Sequence, residues 1–158
     1  MTRRVIASGL FVFAASALVL SSAPTWAADS RFSQSITDLP LSSLRQDQYS
    51  DAIDAYAAKG QYQKALDVAD LGLRKNPKSA QLKFQRCVVL EKMGDTAQAK
   101  AELERFIRLY PEIPEGYNNL AALLSREGEL DAAETYLKRA LAFRPKFRQA
   151  HVNLGNLY

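Results

Sequence analysis

The chain has 158 residues, enough for one domain of ordinary size, and carries a formal net charge of +4. Its basic residues do not form the stripe that follows a nucleic-acid backbone, so nucleic-acid binding is not predicted. The single cysteine, Cys87, has no second cysteine with which to form an internal disulfide.

The first 27 residues have the order of a secretory signal peptide. Arg3 and Arg4 give a basic start, residues 5–20 carry no charge, and small residues lead to Ala27. We therefore predict cleavage after Ala27, a periplasmic or secreted location, and no membrane insertion of the mature chain. The alternative is a retained N-terminal membrane anchor, for which this apolar run is short of the ~20 residues that span a bilayer. Cleavage removes Arg3 and Arg4 and no acidic residue, which lowers the net charge from +4 to +2.

Residues 28–45 are predicted to be a flexible lead-in. The stretch from Ala28 to Pro40 is rich in Ser and other polar residues and lacks helical periodicity. Nothing in the pattern requires its apolar residues, such as Ile36, to lie on the first helix pair.

Three kinds of residue recur with a period of 34 along the rest of the chain. They are Gly60, Gly94 and Gly128, then Ala65, Ala99 and Ala133, then Pro77, Pro111 and Pro145. Each glycine supplies a positive φ at the turn between two helices, and each proline ends the second helix. Asp95 and Gln98 match a capping box at the start of a second helix. Pro114 can open a first helix, and the alanines mark close helix contacts.

This period sets a frame of repeats. The frame gives repeats over residues 46–79, 80–113 and 114–147, with a partial fourth repeat over 148–158. Within the repeats, apolar residues recur at three- and four-residue spacing, which predicts amphipathic helices and no strands.

Two segments resemble the tetratricopeptide repeat (TPR) family. They are Tyr117-Asn118-Asn119-Leu120-Ala121 and residues 151–158, in which His151 takes the aromatic place. The resemblance covers residues 46–158, and the export signal makes the chain similar to small exported TPR proteins of Gram-negative bacteria. It implies an all-α fold, a right-handed superhelix (α-solenoid) of helix-turn-helix repeats. Ile53 and Phe106 occupy positions where the family usually has a small residue, so the resemblance does not predict the helix spacing near them.

No catalytic, metal or cofactor site is predicted. His151 occupies an aromatic packing position and Cys87 a small-residue packing position, so both are interpreted as structural. No Cys/His cluster has zinc spacing, and no glycine-rich loop fits a phosphate. We therefore expect no enzyme activity and no cofactor.

The family's concave groove is lined by the first helix of each repeat, and the resemblance supplies the candidate binding residues. They are Phe84, Gln85, Val88, Asn118, Asn119, Arg126, Asn153 and Asn156. Gln85, Asn119 and Asn153 share one repeat position, where amides can donate and accept hydrogen bonds along an extended peptide. The alternative is that these amides hold neighbouring helices together. The basic clamp with which some family members hold a C-terminal carboxylate is missing.

The predicted function is an exported scaffold that binds a protein or extended peptide, in assembly of a cell-envelope complex. An acidic first repeat indicates a partner with a basic end. Two alternatives are that the chain is the N-terminal, non-catalytic region of a longer envelope enzyme, and that it is a structural homo-oligomer. The apolar residues Leu154, Leu157 and Tyr158 favour a longer natural chain or self-association through the last helix.

Overall fold

The computed structural model describes residues 36–158, and the predicted signal peptide over residues 1–27 lies outside the described residues. Within residues 36–158 the regular secondary structure is entirely helical. The α-helices are α1 (Tyr49–Ala58), α2 (Tyr62–Lys75), α3 (Ala80–Met93), α4 (Thr96–Leu109), α5 (Pro114–Arg126), α6 (Leu130–Phe143) and α7 (Arg148–Gly155). Two short 3-10 helices, Leu41–Ser43 and Gln46–Gln48, precede α1. The predicted all-α fold is confirmed.

None of the helices between residues 36 and 158 is both long enough and apolar enough to cross a bilayer. The predicted membrane-anchor alternative concerns residues 5–20, which lie outside this range.

Left-handed glycines join the two helices of each repeat, as predicted. Gly60, Gly94 and Gly128 have φ values of 69°, 85° and 82°, a region that L side chains rarely adopt. Because the glycine turns the chain sharply, the second helix of each repeat folds back against the first.

The other predicted helix ends are also observed. The Asp95 carboxylate accepts a hydrogen bond from the Gln98 backbone N–H at 3.1 Å, which caps α4. Pro114 is the first residue of α5. The residue before each periodic proline lies outside the helical region, because a following proline disfavours that region; Tyr110, for example, has a φ of −135° and a ψ of 66°.

The first helices form the inner layer of the solenoid. α1 packs directly on α3, and α5 packs on α7. Among the described helices, no comparable packing joins the second helices α2, α4 and α6 to one another. At the first and third junctions the first helices therefore lie closer together than the second helices, which places the first helices on the inner face and the second helices on the outer face.

Two clusters of buried apolar side chains form the core. One is centred on α1 and α2 and includes Ile53 and Val68. The other is centred on α4 to α6 and includes Leu103, Tyr117 and Leu137. The Leu66 side chain packs against both clusters, so the apolar core is continuous along the repeats, as expected for a solenoid.

Residues 36–45 differ from the predicted flexible lead-in over residues 28–45. The side chains of Ile36 and Leu44 are buried in the first cluster. The Tyr56 hydroxyl donates to the Thr37 backbone oxygen at 3.0 Å, and Lys59 donates to the Thr37 hydroxyl at 2.6 Å. This segment therefore covers part of the apolar surface of the first repeat.

Candidate protein-binding face

Polar side chains connect each first helix to the next along the inner face. Each hydrogen bond joins residues 35 positions apart: Gln85 to the Ser50 backbone oxygen (3.1 Å), Arg126 to Glu91 (2.8 Å) and Asn153 to Asn118 (2.9 Å). Side chains one repeat apart project from equivalent places on neighbouring helices. These bonds therefore hold α1, α3, α5 and α7 side by side as one surface.

Gln85 contacts the first repeat. Its amide nitrogen donates to the Asp54 carboxylate at 2.9 Å as well as to the Ser50 oxygen, and Gln81 donates to the Ser50 hydroxyl at 2.6 Å. The Gln85 side-chain oxygen is buried and has no hydrogen-bond partner within residues 36–158. The amide nitrogen of this candidate residue is therefore engaged in holding α1 against α3.

Three other candidate residues form a chain of amides. Gln149 donates to Asn153 at 3.1 Å, Asn153 donates to Asn118, and Asn118 donates to Asn119 at 3.2 Å. Only 5% of Asn118 is exposed, so its hydrogen bonds replace those that water would make. The structure brings Asn118, Asn119 and Asn153 together in bonds between α5 and α7. Contact of these amides with a peptide stays a prediction.

The four remaining candidates have different surroundings. The Phe84 ring is half-buried and lies 5.5 Å from the Phe106 ring, centroid to centroid, so it packs toward α4. Val88 is half-buried and belongs to neither apolar cluster. Asn156 is exposed beside a small cavity of about 120 Å³ next to Ala122. Arg126 pairs with Glu91. Val88 and Asn156 thus make no hydrogen bond or ion pair through their side chains within residues 36–158, and Phe84 makes only ring contacts there.

One end of the inner face is acidic. Partial burial, together with repulsion from Asp47, raises the pKa of Asp51. Partial burial also raises the pKa of Asp54, with repulsion from Asp51 adding to it, although the hydrogen bond from Gln85 opposes the shift. Asp47 pairs with Arg45 at 3.2 Å, while neither Asp51 nor Asp54 forms an ion pair with another described residue. Negative charge is therefore left uncompensated here.

The residues considered for chemistry lie on different helices. His151, on α7, has its Nε2 atom 2.8 Å from the Pro145 backbone oxygen, so this nitrogen donates. Cys87, on α3, is buried, and this burial raises its pKa to about 12. Across the part of the chain that the structure describes, no group of His, Cys, Asp and Glu side chains is arranged to hold a metal.

Sequence reasoning missed the partners of the candidate residues. The sequence did not predict that Ser50, Glu91 and Gln149 bond to candidate residues. For Ser50 and Glu91 the available signal was the spacing of 35 to a residue able to bond to each of them. Gln149 lies four residues before Asn153 on the same helix.

Comparison with known proteins agrees with this geometry. A tetratricopeptide repeat family model matches residues 88–147. A thermophilic TPR protein of Thermus thermophilus is 27% identical, with a TM-score of 0.67, covering 80% of this chain and 70% of that one.

Two further structures contain a bound peptide. The second TPR domain of human RPAP3, in complex with an HSP70 peptide, is 18% identical with a TM-score of 0.63, covering 71% of this chain and 93% of that one. The Yersinia enterocolitica type III secretion chaperone SycD, in complex with a peptide of the translocator YopD, is 16% identical with a TM-score of 0.63, covering 70% and 90%. Residues 88–147 therefore match the tetratricopeptide repeat family, and the similar structures support a tetratricopeptide repeat fold for the described residues.

Proposed function

We propose that the protein binds a partner protein, or an extended segment of one, through the inner face of its first helices. The observation that carries this proposal is the continuity of that face, which the bonds between residues 35 positions apart hold together. Two structures of similar fold hold peptides, which supports a role in protein interaction. The inner face combines half-buried Val88 and Ala122 with polar neighbours, a composition suited to a peptide backbone and apolar side chains.

The partner segment carries basic residues toward α1. Asp51 and Asp54 hold negative charge that no described cation neutralises, at a place where burial already disfavours it. A Lys or Arg of the partner placed there relieves the repulsion between these carboxylates. Complementary charge of this kind fixes the direction of a bound peptide more than it adds to affinity.

The partner belongs to a cell-envelope complex, because the N-terminal sequence favours export and cleavage after Ala27. Mass spectrometry of the protein recovered from expressing cells tests this part of the proposal. The expected mature chain begins at Ala28 and is found outside the cytoplasm. An uncleaved chain in the membrane fraction supports the anchor alternative instead.

Peptide selection followed by surface substitution tests the binding face. Peptides selected from a random library on residues 28–158 would be titrated against three proteins: the parent, a Val88→Glu/Ala122→Glu variant and a Leu130→Glu control. Val88 and Ala122 make no polar contact within the described residues, so replacing them leaves the bonds between first helices intact. Leu130 lies at the start of α6 and is exposed.

We expect the inner-face variant to lose at least tenfold in affinity, and the Leu130 control to bind as the parent does. Circular dichroism should show equal helix content in all three. Equal affinity in the inner-face variant, or loss only in the Leu130 control, would move the site off the inner face and overturn the proposal.

A further inference from the structure

Repeat two lacks an aromatic ring that its neighbours have. The ring position is Tyr49 in repeat one and Tyr117 in repeat three, and both side chains are buried. The equivalent residue of repeat two, 34 positions from either, is Lys83. Lys83 is half-buried and makes no hydrogen bond or ion pair with the described residues.

Repeat three shows what the ring contacts when it is present. The Tyr117 ring stacks on the Phe143 ring at a centroid distance of 5.8 Å and an interplanar angle of 17°. The Arg139 guanidinium carbon lies 5.4 Å from the centroid of the Tyr117 ring, within the range of a cation–π interaction. The aromatic position is thus covered by an apolar side chain and a cation.

Repeat two keeps a cation and an apolar side chain at these two positions and has a cavity beside them. Arg105 and Leu109 stand 34 residues before Arg139 and Phe143. Together with Lys83 they line a cavity of about 290 Å³ that opens on the outer face between α2 and α4. This is on the order of ten water volumes. Leu109 is among the most exposed large apolar residues of residues 36–158, at 54%.

The charge at the cavity is not balanced. Arg86 lies at its base and holds both neighbouring carboxylates, Asp70 at 2.7 Å and Glu102 at 3.4 Å. Lys83 and Arg105 add two cations at the cavity, and the side chain of Arg105 is 69% exposed. Its nearest carboxylate is Glu102, at 4.0 Å. An occupant that carries negative charge beside its apolar part therefore complements the site.

The geometry points to a second binding site, in which this outer cavity takes an aromatic side chain from an acidic segment of a partner protein. The ring occupies the place that Tyr117 fills in repeat three, against Leu109 and Phe106 and within reach of the Arg105 guanidinium. Acidic residues beside the ring face Lys83 and Arg105. The site is separate from the inner face, because it lies between second helices, so it does not depend on the function proposed above.

Two pentapeptides test this site: one with Tyr between two pairs of Glu, and one with Ala in place of Tyr. Each would be titrated into the protein, and the Kd obtained from amide chemical shifts. We expect shifts at α4 and around Lys83 with the Tyr peptide, and at least tenfold weaker binding of the Ala peptide. Equal binding of both peptides, or no binding of either, overturns the proposal.

Two variants locate the binding. Lys83→Tyr fills the cavity with a ring of the chain itself. It should raise the melting temperature of the protein and weaken binding of the Tyr peptide at least tenfold. Arg105→Glu reverses the charge at the rim of the cavity and should weaken binding of the Tyr peptide similarly. Arg108→Glu, at an exposed position on the same helix, is the matched control. Unchanged affinity in Arg105→Glu, or equal losses in both arginine variants, contradicts the site even where Lys83→Tyr fails to fold.

Concentration-dependent dimerisation that Lys83→Tyr abolishes would identify a second copy of this chain as the occupant, and would also overturn a separate acidic partner.

Discussion

Two junctions of the solenoid pack with their large and small side chains exchanged. One lies between repeats one and two, and the other lies between repeats two and three. At the first junction the second helix contributes Gly72 and the following first helix contributes Leu82. At the next junction the second helix contributes Phe106 and the following first helix contributes Gly116. A Cβ on Gly72 would lie 2.9 Å from Leu82 Cδ1, and one on Gly116 would lie 2.7 Å from Phe106 Cδ1.

The third junction uses two small residues of equal size, Ala140 and Ala150, both fully buried. The first two pairs therefore each combine one large and one small residue at the same contact, with the large residue on opposite sides, and the third pair combines two small residues. This explains how Phe106 fits at a place where the TPR family usually has a small residue. The glycine across the junction provides the room that the ring takes.

Removing the Phe106 ring should have the largest effect on stability. Phe106→Ala leaves a cavity opposite a glycine that cannot fill it, because only 2% of Phe106 is exposed. We expect the free energy of unfolding to fall by about 3–5 kcal/mol, measured by urea denaturation. Phe143→Ala, at a largely exposed phenylalanine, is the control and should cost much less. A loss below about 1 kcal/mol for Phe106→Ala would contradict the pairing.

Adding a Cβ at Gly116, across the junction from Phe106, should have the next largest effect on stability. Gly116→Ala places its Cβ 2.7 Å from Phe106 and 2.9 Å from Ile107. We expect a loss of about 1–3 kcal/mol. The loss should be smaller for Gly72→Ala, because the Leu82 atom that it meets is the end of a flexible side chain.

Two controls sharpen this prediction. Gly155→Ala has no atom within 4 Å of its new Cβ, so it should be neutral or slightly stabilising. In the Phe106→Ala background, Gly116→Ala should cost little or nothing, because the ring that it meets has gone. An equal cost in both backgrounds would show that the two residues are not coupled.

Breaking the amide chain should have a smaller and more local effect. Asn153→Ala removes the donor to the buried Asn118 oxygen, and an unsatisfied buried acceptor costs about 1–3 kcal/mol. Because the lost bond joins α7 to α5, we expect faster amide hydrogen exchange in α7 and little change in the distant α1. Asn156→Ala is the matched control on the same helix. Equal exchange in the two variants would argue against the amide chain.

The acidic end of the inner face should give the smallest effect. The folded protein raises the pKa of Asp51, so it disfavours the charged carboxylate relative to the unfolded chain. This destabilisation is present above the folded pKa and is lost as the pH falls through it. Asp51→Asn should therefore melt at a slightly higher temperature at pH 7, with the difference shrinking in acid. A melting-temperature difference that grows in acid would contradict the upward direction of the Asp51 pKa shift.

The sequence predicted the elements whose cause is local or periodic. The left-handed glycines, the prolines after each second helix and the cap at Asp95 each follow from the chemistry of one or two residues, and the structure confirms them. The exchanged sizes of Gly72 and Phe106 could not be predicted from one repeat at a time, because the compensating residue lies ten positions later on another helix.

The candidate binding residues were predicted less completely for a related reason. The family frame indicated which positions line the inner face, but not which side chains bond to each other. Gln85, Arg126 and Asn153 bond across helices, and this depends on the distance between two helices and on a suitable partner 35 residues away. The sequence left the packing of residues 36–45 on α1 undecided, because a short, non-periodic segment has no amphipathic pattern to detect.

The most direct test of the inner face as the binding surface is an amide chemical-shift titration of the protein with a selected peptide. The account predicts shifts concentrated on α1, α3, α5 and α7, with the largest around Val88 and Ala122. Shifts confined to the second helices α2, α4 and α6 would contradict it.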